Sequence, residues 1–371
     1  MNRATSLYLD LLRFGAALLV LLTHLAYPRF SGGMLAPLRS YGNDAVMLFF
    51  VLSGYVIAHT AAHRDRELGA FVLNRCARLY SVALPAVALT VVLDQIGRAL
   101  APALYLGFQY QGGEPLLRAW RALCFTHELW FDSWRLFSNG PYWSLGYEFW
   151  YYALFACAWY LRGTRRALAP VAVTALVGPK ILLLLPVWGL GVLVFRINER
   201  HVPAPRVGAA LWLASIALYS AFRGWGLPQV LLDWTYGQWG RDFVEHSLRW
   251  SNEFLASYVI GLLVAMNIVG MHACAPAFER ALVRWETPIR RWAGCSFSLY
   301  LFHYPLLQCY AATGGFDPRS LLAVAALGGV TLLSCRALAT VTEHRKAQAR
   351  ALLLRVALEL RRRLPVTGMS W

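Results

Sequence analysis

Three ionisable side chains, Asp10, Arg13 and His24, stand inside one apolar run, Leu7 to Tyr27, that is long enough to span a membrane. An ionisable group costs roughly 2.5–3.5 kcal/mol or more at mid-bilayer, so three in one span point to a protein interior or a wet cavity rather than to lipid contact. At about 100° per residue, the step from Arg13 to His24 turns through roughly 1100°, about 20° past three full turns, and rises about 16 Å. The two side chains therefore share one helix face, most of a leaflet apart. Imidazole titrates near neutrality and takes a proton from a hydroxyl within hydrogen-bond reach, which makes His24 a candidate general base. The guanidinium of Arg13 suits phosphate. The purely structural alternative is a buried Asp10–Arg13 pair with a capped histidine.

Other segments carry comparable groups. The second span opens YGNDAVMLFFVLSGYVIAHT, where Asn43 and Asp44 fit an N-cap and Ser53-Gly54 fits close helix packing. In FVLNRCARLY, Arg75 and Arg78 lie three apart on one helical face, and such a pair either holds a phosphate or serves positive-inside retention. The fourth span opens NGPYWSLGYEFWYY and carries Glu148 about 10 Å into the membrane, where it must be paired, protonated or facing water; a carboxylate there could orient a histidine. In SFSLYLFHYPLL, His303 is about 12 Å deep, and Pro305 is expected to kink the helix and free a carbonyl nearby. Glu343 pairs most simply with Arg345. No GxSxG elbow, Walker loop, HExxH or metal-type acidic cluster is present, which removes the common soluble hydrolase and NTPase classes and leaves no metal site to assign.

These groups need a scaffold, and composition supplies its class. The 371 residues are 58% hydrophobic and 15% charged with mean hydropathy +0.46, against nearly half apolar and a quarter charged in ordinary soluble domains. The chain reads as an all-α polytopic membrane protein. Runs of about 20 apolar residues place ten transmembrane helices near 7–27, 44–62, 79–97, 141–161, 167–178, 180–196, 207–222, 252–271, 295–313 and 320–341, around a central cavity. Ten spans put both termini on one side. Of the 35 basic residues, 24 then fall on that side with eight acidic residues, while the opposite side holds eleven of each. The whole excess of +16 is thus topological, the termini are cytoplasmic, and nucleic acid is not needed to explain the charge. The seven scattered cysteines lack a CxxC pair and read as small apolar residues. The apolar N-terminal run lacks a small-x-small cleavage site and reads as a retained helix rather than a signal peptide.

Two long segments, 98–140 and 223–251, carry Trp120, Trp130, Trp134, Trp225, Trp234, Trp239 and Trp250, either an interfacial belt or a sugar-stacking surface. Residues 1–343 form the membrane domain and 344–371 a basic amphipathic tail suited to the anionic leaflet.

Taken together, these segments resemble the acyltransferase 3 family of integral-membrane O-acyltransferases. The resemblance rests on LDLLRFGAALLVLLTH with Arg13 and His24, GNDAVMLFFVLSGYVI, the Arg75/Arg78 pair, WSLGYEFWYY with Glu148, and SFSLYLFHYPL with His303, in the family's order from about residue 7 to 343. It implies transfer of an acyl group, commonly acetyl, from cytoplasmic acyl-CoA to a hydroxyl, often on a surface polysaccharide or its lipid-linked precursor. It implies a multi-pass protein of the cytoplasmic (inner) membrane, with acyl-CoA as co-substrate rather than a resident cofactor. Carried onto this chain, His24 would deprotonate the acceptor, and Arg13, Arg75 and Arg78 would help hold the donor through CoA phosphates. Glu148 or His303 would fix the tautomer of His24. Members often read SVEEQFY where this chain has Leu145-Gly146-Tyr147-Glu148-Phe149-Trp150-Tyr151, so a single carboxylate remains. The periplasmic esterase-like extension of some members is not expected. A transporter or flippase of sugars or lipid-linked glycans, using the same buried charges as a substrate path, is the competing class; a proton-coupled sensor is a third.

Overall fold

The computed structural model describes residues 2–106 and 115–363. Residues 107–114 of the first long segment and the last eight residues of the expected tail lie outside the described residues.

The chain forms α1 (Arg3–Leu25), α2 (Gly42–His63), α3 (Leu68–Leu100), α4 (Pro115–Leu123), α5 (Trp143–Tyr160), α6 (Gly163–Val177), α7 (Pro179–Arg200), α8 (Pro205–Gly224), α9 (Leu227–Trp239), α10 (Phe254–Arg284), α11 (Glu286–Ala293), α12 (Ser296–Ala311), α13 (Leu321–Val341) and α14 (Lys346–Arg363). Among the described residues there is no β-strand, only an isolated bridge between Leu136 and Asn139. Every predicted span is helical. Among the described residues, seven helical stretches are long and apolar enough to cross a membrane; the helices at the other three predicted spans, α5, α6 and α12, have 18, 15 and 16 residues. This is an all-α polytopic membrane protein.

Local chemistry sets several ends. Asn2 caps α1 by accepting from the Thr5 N–H at 2.7 Å, and Ser320 caps α13 through the Ala323 N–H. Proline occupies the first position of α7 and α8, where its missing N–H costs nothing. At α2 the expected capping does not occur, because the helix starts at Gly42 without a side-chain cap. Asn43 instead donates to Glu253 and Ser257, and Asp44 accepts from Tyr219 and pairs with Arg223, so both tie α2 to α10 and α8.

Fourteen of the sixteen residues of α12 are buried, against three of twenty in α8. Helix α12 is accordingly the central post, packed on α1, α3 and α13, while α8 sits outside against α10. Helices α2 and α7 cross at van der Waals distance. A Cβ on Gly54 would stand 2.1 Å from the Trp188 carbonyl oxygen, and one on Gly191 only 2.0 Å from that of Val51, so these glycines allow the approach that small residues give membrane helices.

Arg3 pairs with Glu286, Asp10 with Arg290, and Glu343 caps α12 by accepting from the Ser298 N–H and hydroxyl at 3.1 and 3.2 Å. These contacts define the N-terminal side. Glu343 thus serves the start of α12 rather than Arg345. Tail helix α14 packs on α3, with Arg350 donating to Asn74 at 2.7 Å.

On the far side, the loop between α4 and α5 is clamped by Glu128, which meets Lys180 at 2.6 Å with both side chains buried and also accepts from Ser133 and Trp250. Burial pushes the neighbouring His127 down to about 4, so it packs as a neutral ring. Removing one member of a buried pair leaves an unpaired charge and costs about 3–5 kcal/mol. Glu128→Ala is therefore expected to lower the unfolding temperature in detergent sharply, whereas Glu128→Gln with Lys180→Met is expected to recover most of it; a single variant as stable as the double one would show the pair to be dispensable.

Candidate active site

Helix α1 carries Arg13 near the N-terminal side and His24 near its far end, as the spacing predicts. His24 lines a chamber of about 470 Å³ bounded by Tyr27, Asn43, Val46, Trp143, Trp250 and Tyr300, among others. The tautomers follow from the acceptors present. His303 Nδ1 lies 2.9 Å from the Leu299 carbonyl, which can only accept, so His303 carries its proton there and offers the lone pair of Nε2. That lone pair stands 3.0 Å from His24 Nδ1, which also lies 2.9 Å from the Val20 carbonyl. Two acceptors at one nitrogen require His24 Nδ1 to be the protonated atom. His24 Nε2 is left with a lone pair, the state a general base needs.

The rings of Tyr27 and Tyr304 flank the imidazole at 5.3 and 5.0 Å between centroids, both edge-on. His303 itself is fully buried in α12. Its helix contains the predicted Pro305, whose missing N–H orphans the Leu301 carbonyl one turn earlier. Asn139 donates to that carbonyl at 2.9 Å, so the loop before α5 repairs the break and holds α12 in register beside α1.

A second cavity, of about 60 Å³, is lined by Arg13, Ser53, Arg78, Ser144, Glu148, Phe297 and Tyr300. Glu148 stands here with the arginines: it accepts from Ser53 at 2.8 Å and from the Tyr152 hydroxyl, and Trp188 donates on to Ser53 at 3.2 Å. Arg13 reaches Asp10 and the Ala293 carbonyl, each at 3.0 Å, so the anticipated Asp10–Arg13 pair is present alongside the cavity. Arg75 and Arg78 part company. Arg75 pairs with Asp65 at 3.1 Å, whereas Arg78 lies over the Phe297 ring and faces the cavity.

Val46 and Tyr300 line both cavities, which therefore sit back to back. The Tyr300 hydroxyl is tied to the Pro141 carbonyl at 3.0 Å and to the Ser144 hydroxyl at 2.8 Å. Ser53, Tyr152 and Tyr300 join the site without a signal of their own in the sequence, beyond lying in segments already singled out. The tryptophans divide. Trp225 is 76% exposed and Trp120 65% exposed, as a belt requires, but Trp250 stacks on Trp143 at 5.3 Å with 4° between planes and lines the His24 chamber. Among the described residues no cluster of three or more His, Cys, Asp or Glu is placed to hold a metal ion.

The structure is that of a helical membrane protein in which a chamber holding a histidine pair lies back to back with a smaller, arginine-lined cavity. The acyltransferase 3 family model, described as an acyltransferase domain, matches residues 6–340. The chain belongs to this family, and it is a multi-pass membrane acyltransferase. No curated protein and no solved structure is similar enough to the chain to match it.

Proposed function

We propose that the protein transfers an acyl group, most simply acetyl, from acyl-CoA to a hydroxyl of a glycan or lipid-linked sugar, with His24 Nε2 as the base. The observation that carries this is the His303–His24 pair, which leaves one unprotonated nitrogen in the large chamber, with the arginine pocket behind it. Lys and Arg gather on the N-terminal side, so that side faces the cytoplasm of the inner membrane by the positive-inside rule. CoA would approach Arg13 and Arg78 from there, with Arg75 held by Asp65 at the rim. The pantetheine arm would reach His24 between Val46 and Tyr300. The smaller cavity holds only a few waters as it stands, so Tyr300 must move for the arm to pass.

In the reaction, His24 takes the acceptor proton as the hydroxyl oxygen attacks the thioester carbonyl. The carbon–sulfur bond then breaks, the sulfur leaves as CoA thiolate and takes the proton from the His24 imidazolium, and the products are an ester and CoA with the base restored. Glu148, bonded to Ser53 and Tyr152, would organise the pocket wall opposite Arg78.

The test is purified protein in liposomes with labelled acetyl-CoA and candidate glycans. Ester formation matched by CoA release supports the proposal; glycan movement across the bilayer without CoA consumption would favour the transporter and overturn it. On the donor side, Arg78→Ala is expected to weaken CoA binding roughly tenfold or more, the loss of a charge-assisted phosphate contact worth about 1.5–3 kcal/mol. Arg75→Ala should act less on CoA and more on stability, because it also strands Asp65. Equal CoA affinity in wild type and Arg78→Ala would remove the donor assignment.

A further inference from the structure

The reaction proposed above develops one charge that its base does not meet. When a hydroxyl attacks a thioester, the carbonyl oxygen turns into an oxyanion, and a donor aimed at that oxygen is usually the largest single contribution to the rate. His24 cannot serve, because its Nδ1–H is held by the Val20 carbonyl and His303 while its Nε2 is the lone pair. A donor has to stand beside His24, open on the chamber and be free of other hydrogen bonds.

The chamber wall carries five hydroxyls, on Thr23, Tyr27, Ser40, Tyr300 and Tyr304. Thr23 donates to the Leu38 carbonyl at 3.2 Å, Ser40 accepts from Arg223, and Tyr300 is tied to Pro141 and Ser144. Tyr304 presents its ring, but its hydroxyl is buried. Tyr27 differs from all four. Its hydroxyl makes no hydrogen bond among the described residues and is not sealed in the packing, and the space that Tyr27 lines is the chamber. Its ring stands edge-on, 5.3 Å from that of His24.

The backbone fixes this placement without help from the hydroxyl. The Tyr27 N–H donates to the carbonyl of His24 itself at 3.1 Å, and the Tyr27 carbonyl accepts from the Phe30 and Ser31 N–H groups at 2.8 and 3.1 Å. Tyr27 thus opens the helical turn Pro28–Ser31, whose leading proline needs no N–H partner. Around the ring, the Arg39 guanidinium at 5.5 Å and the Tyr304 ring, edge-on at 6.2 Å, hold it in place. A donor in register with the base and with its hydrogen bond unspent is preorganised: nothing has to be broken when the charge appears.

We propose that Tyr27 is the oxyanion donor of the reaction, its hydroxyl donating to the thioester carbonyl oxygen as that oxygen becomes negative. With the rings 5.3 Å apart, hydrogen bonds of about 2.7–3 Å at either end let one acyl group bridge the two side chains. His24 Nε2 takes the proton of the attacking hydroxyl, and Tyr27 keeps its own. As the tetrahedral intermediate collapses, the carbonyl re-forms, the carbon–sulfur bond breaks and the thiolate takes the proton from His24. The proposal rests on the acyltransferase function given above.

Tyr27→Phe removes one oxygen and no hydrogen bond of the free protein, so it is expected to melt like the wild type. In liposomes with labelled acetyl-CoA and the glycan that the wild type acylates, its kcat should fall about 10²- to 10³-fold, the loss on deleting a single oxyanion donor. KM for both substrates should stay within about twofold, as for a contact made only in the transition state. Two dead-end analogues read the same contact without turnover. Acetonyl-CoA presents a planar ketone and trifluoroacetonyl-CoA a tetrahedral hydrate; the wild type should favour the hydrate, and Tyr27→Phe should lose about tenfold or more of that preference. An unchanged kcat in Tyr27→Phe, or a hydrate preference that is absent from the wild type or unchanged in the variant, would overturn the assignment. A loss that appears only as a raised acceptor KM would overturn it too, by making Tyr27 a glycan-binding residue. A wild type that favours the hydrate through Tyr27 but acylates no glycan would count against the enzymatic proposal instead.

Discussion

His24→Ala is expected to reduce acyl transfer by about 10²- to 10⁴-fold, the range over which a positioned base contributes to a proton-transfer step. The drop should fall on kcat, because the arginines that would hold CoA line a separate cavity that His24 does not enter. Binding of CoA and of the acceptor should survive. The imidazole is half-buried at the edge of the chamber, so its removal deletes two hydrogen bonds without opening the packed centre of α12. A melting temperature near that of the wild type would therefore accompany the lost activity. His24→Gln keeps a donor for the Val20 carbonyl but has no basic nitrogen, and it should be as inactive as the alanine variant. Transfer at wild-type rate in either variant, with the purified protein folded, would eliminate His24 as the base and with it the role proposed for the chamber.

The helical framework was legible because the bilayer imposes it. A span must bury about 20 apolar residues, and each of the ten runs became a helix. Boundaries were less legible, since hydropathy marks the apolar part of a helix and not its hydrogen-bonded length: the third run, 79–97, belongs to a 33-residue helix, Leu68–Leu100, whose polar first turns carry Arg75 and Arg78. Helical rise spaces residues along a helix, but it does not give the direction a side chain faces. Glu148 is inside the protein, as its position required, yet its face of α5 meets Ser53 of α2 and not His24. Glu343 is a similar case, where the sequence neighbour Arg345 was the simplest partner and the buried start of α12 was the actual one. The pairing of His24 with His303 spans 279 positions and rests on the packing of α1 against α12, so the residue types could name both rings without choosing between His303 and Glu148 as the orienting group.

His303→Leu is expected to lower kcat about tenfold to 100-fold while leaving KM for both substrates within about twofold. In the proposed reaction His24 would become an imidazolium on taking the acceptor proton at Nε2, and its Nδ1–H would then donate to His303 Nε2 as a charge-assisted bond, about twice as strong as a neutral one. The bond thus strengthens as the proton moves, which is the condition for a group to act on the rate rather than on binding. The effect is bounded below that of His24 itself, because the Val20 carbonyl at 2.9 Å still accepts from Nδ1 and preserves the tautomer in the variant. Leucine fills the buried site without a polar atom, so the Leu299 carbonyl loses the imidazole donor and keeps the backbone N–H of its own helix, and some stability falls as well. Stability alone cannot separate the two roles, and His303→Gln does. A glutamine amide oxygen can reach His24 Nδ1 from the same backbone position and restore an acceptor without restoring a ring. Partial recovery of kcat in the glutamine variant, with none in the leucine variant at matched melting temperature, would establish the orienting role. If leucine and glutamine variants are equally active after correction for folded protein, His303 serves only the packing of α12.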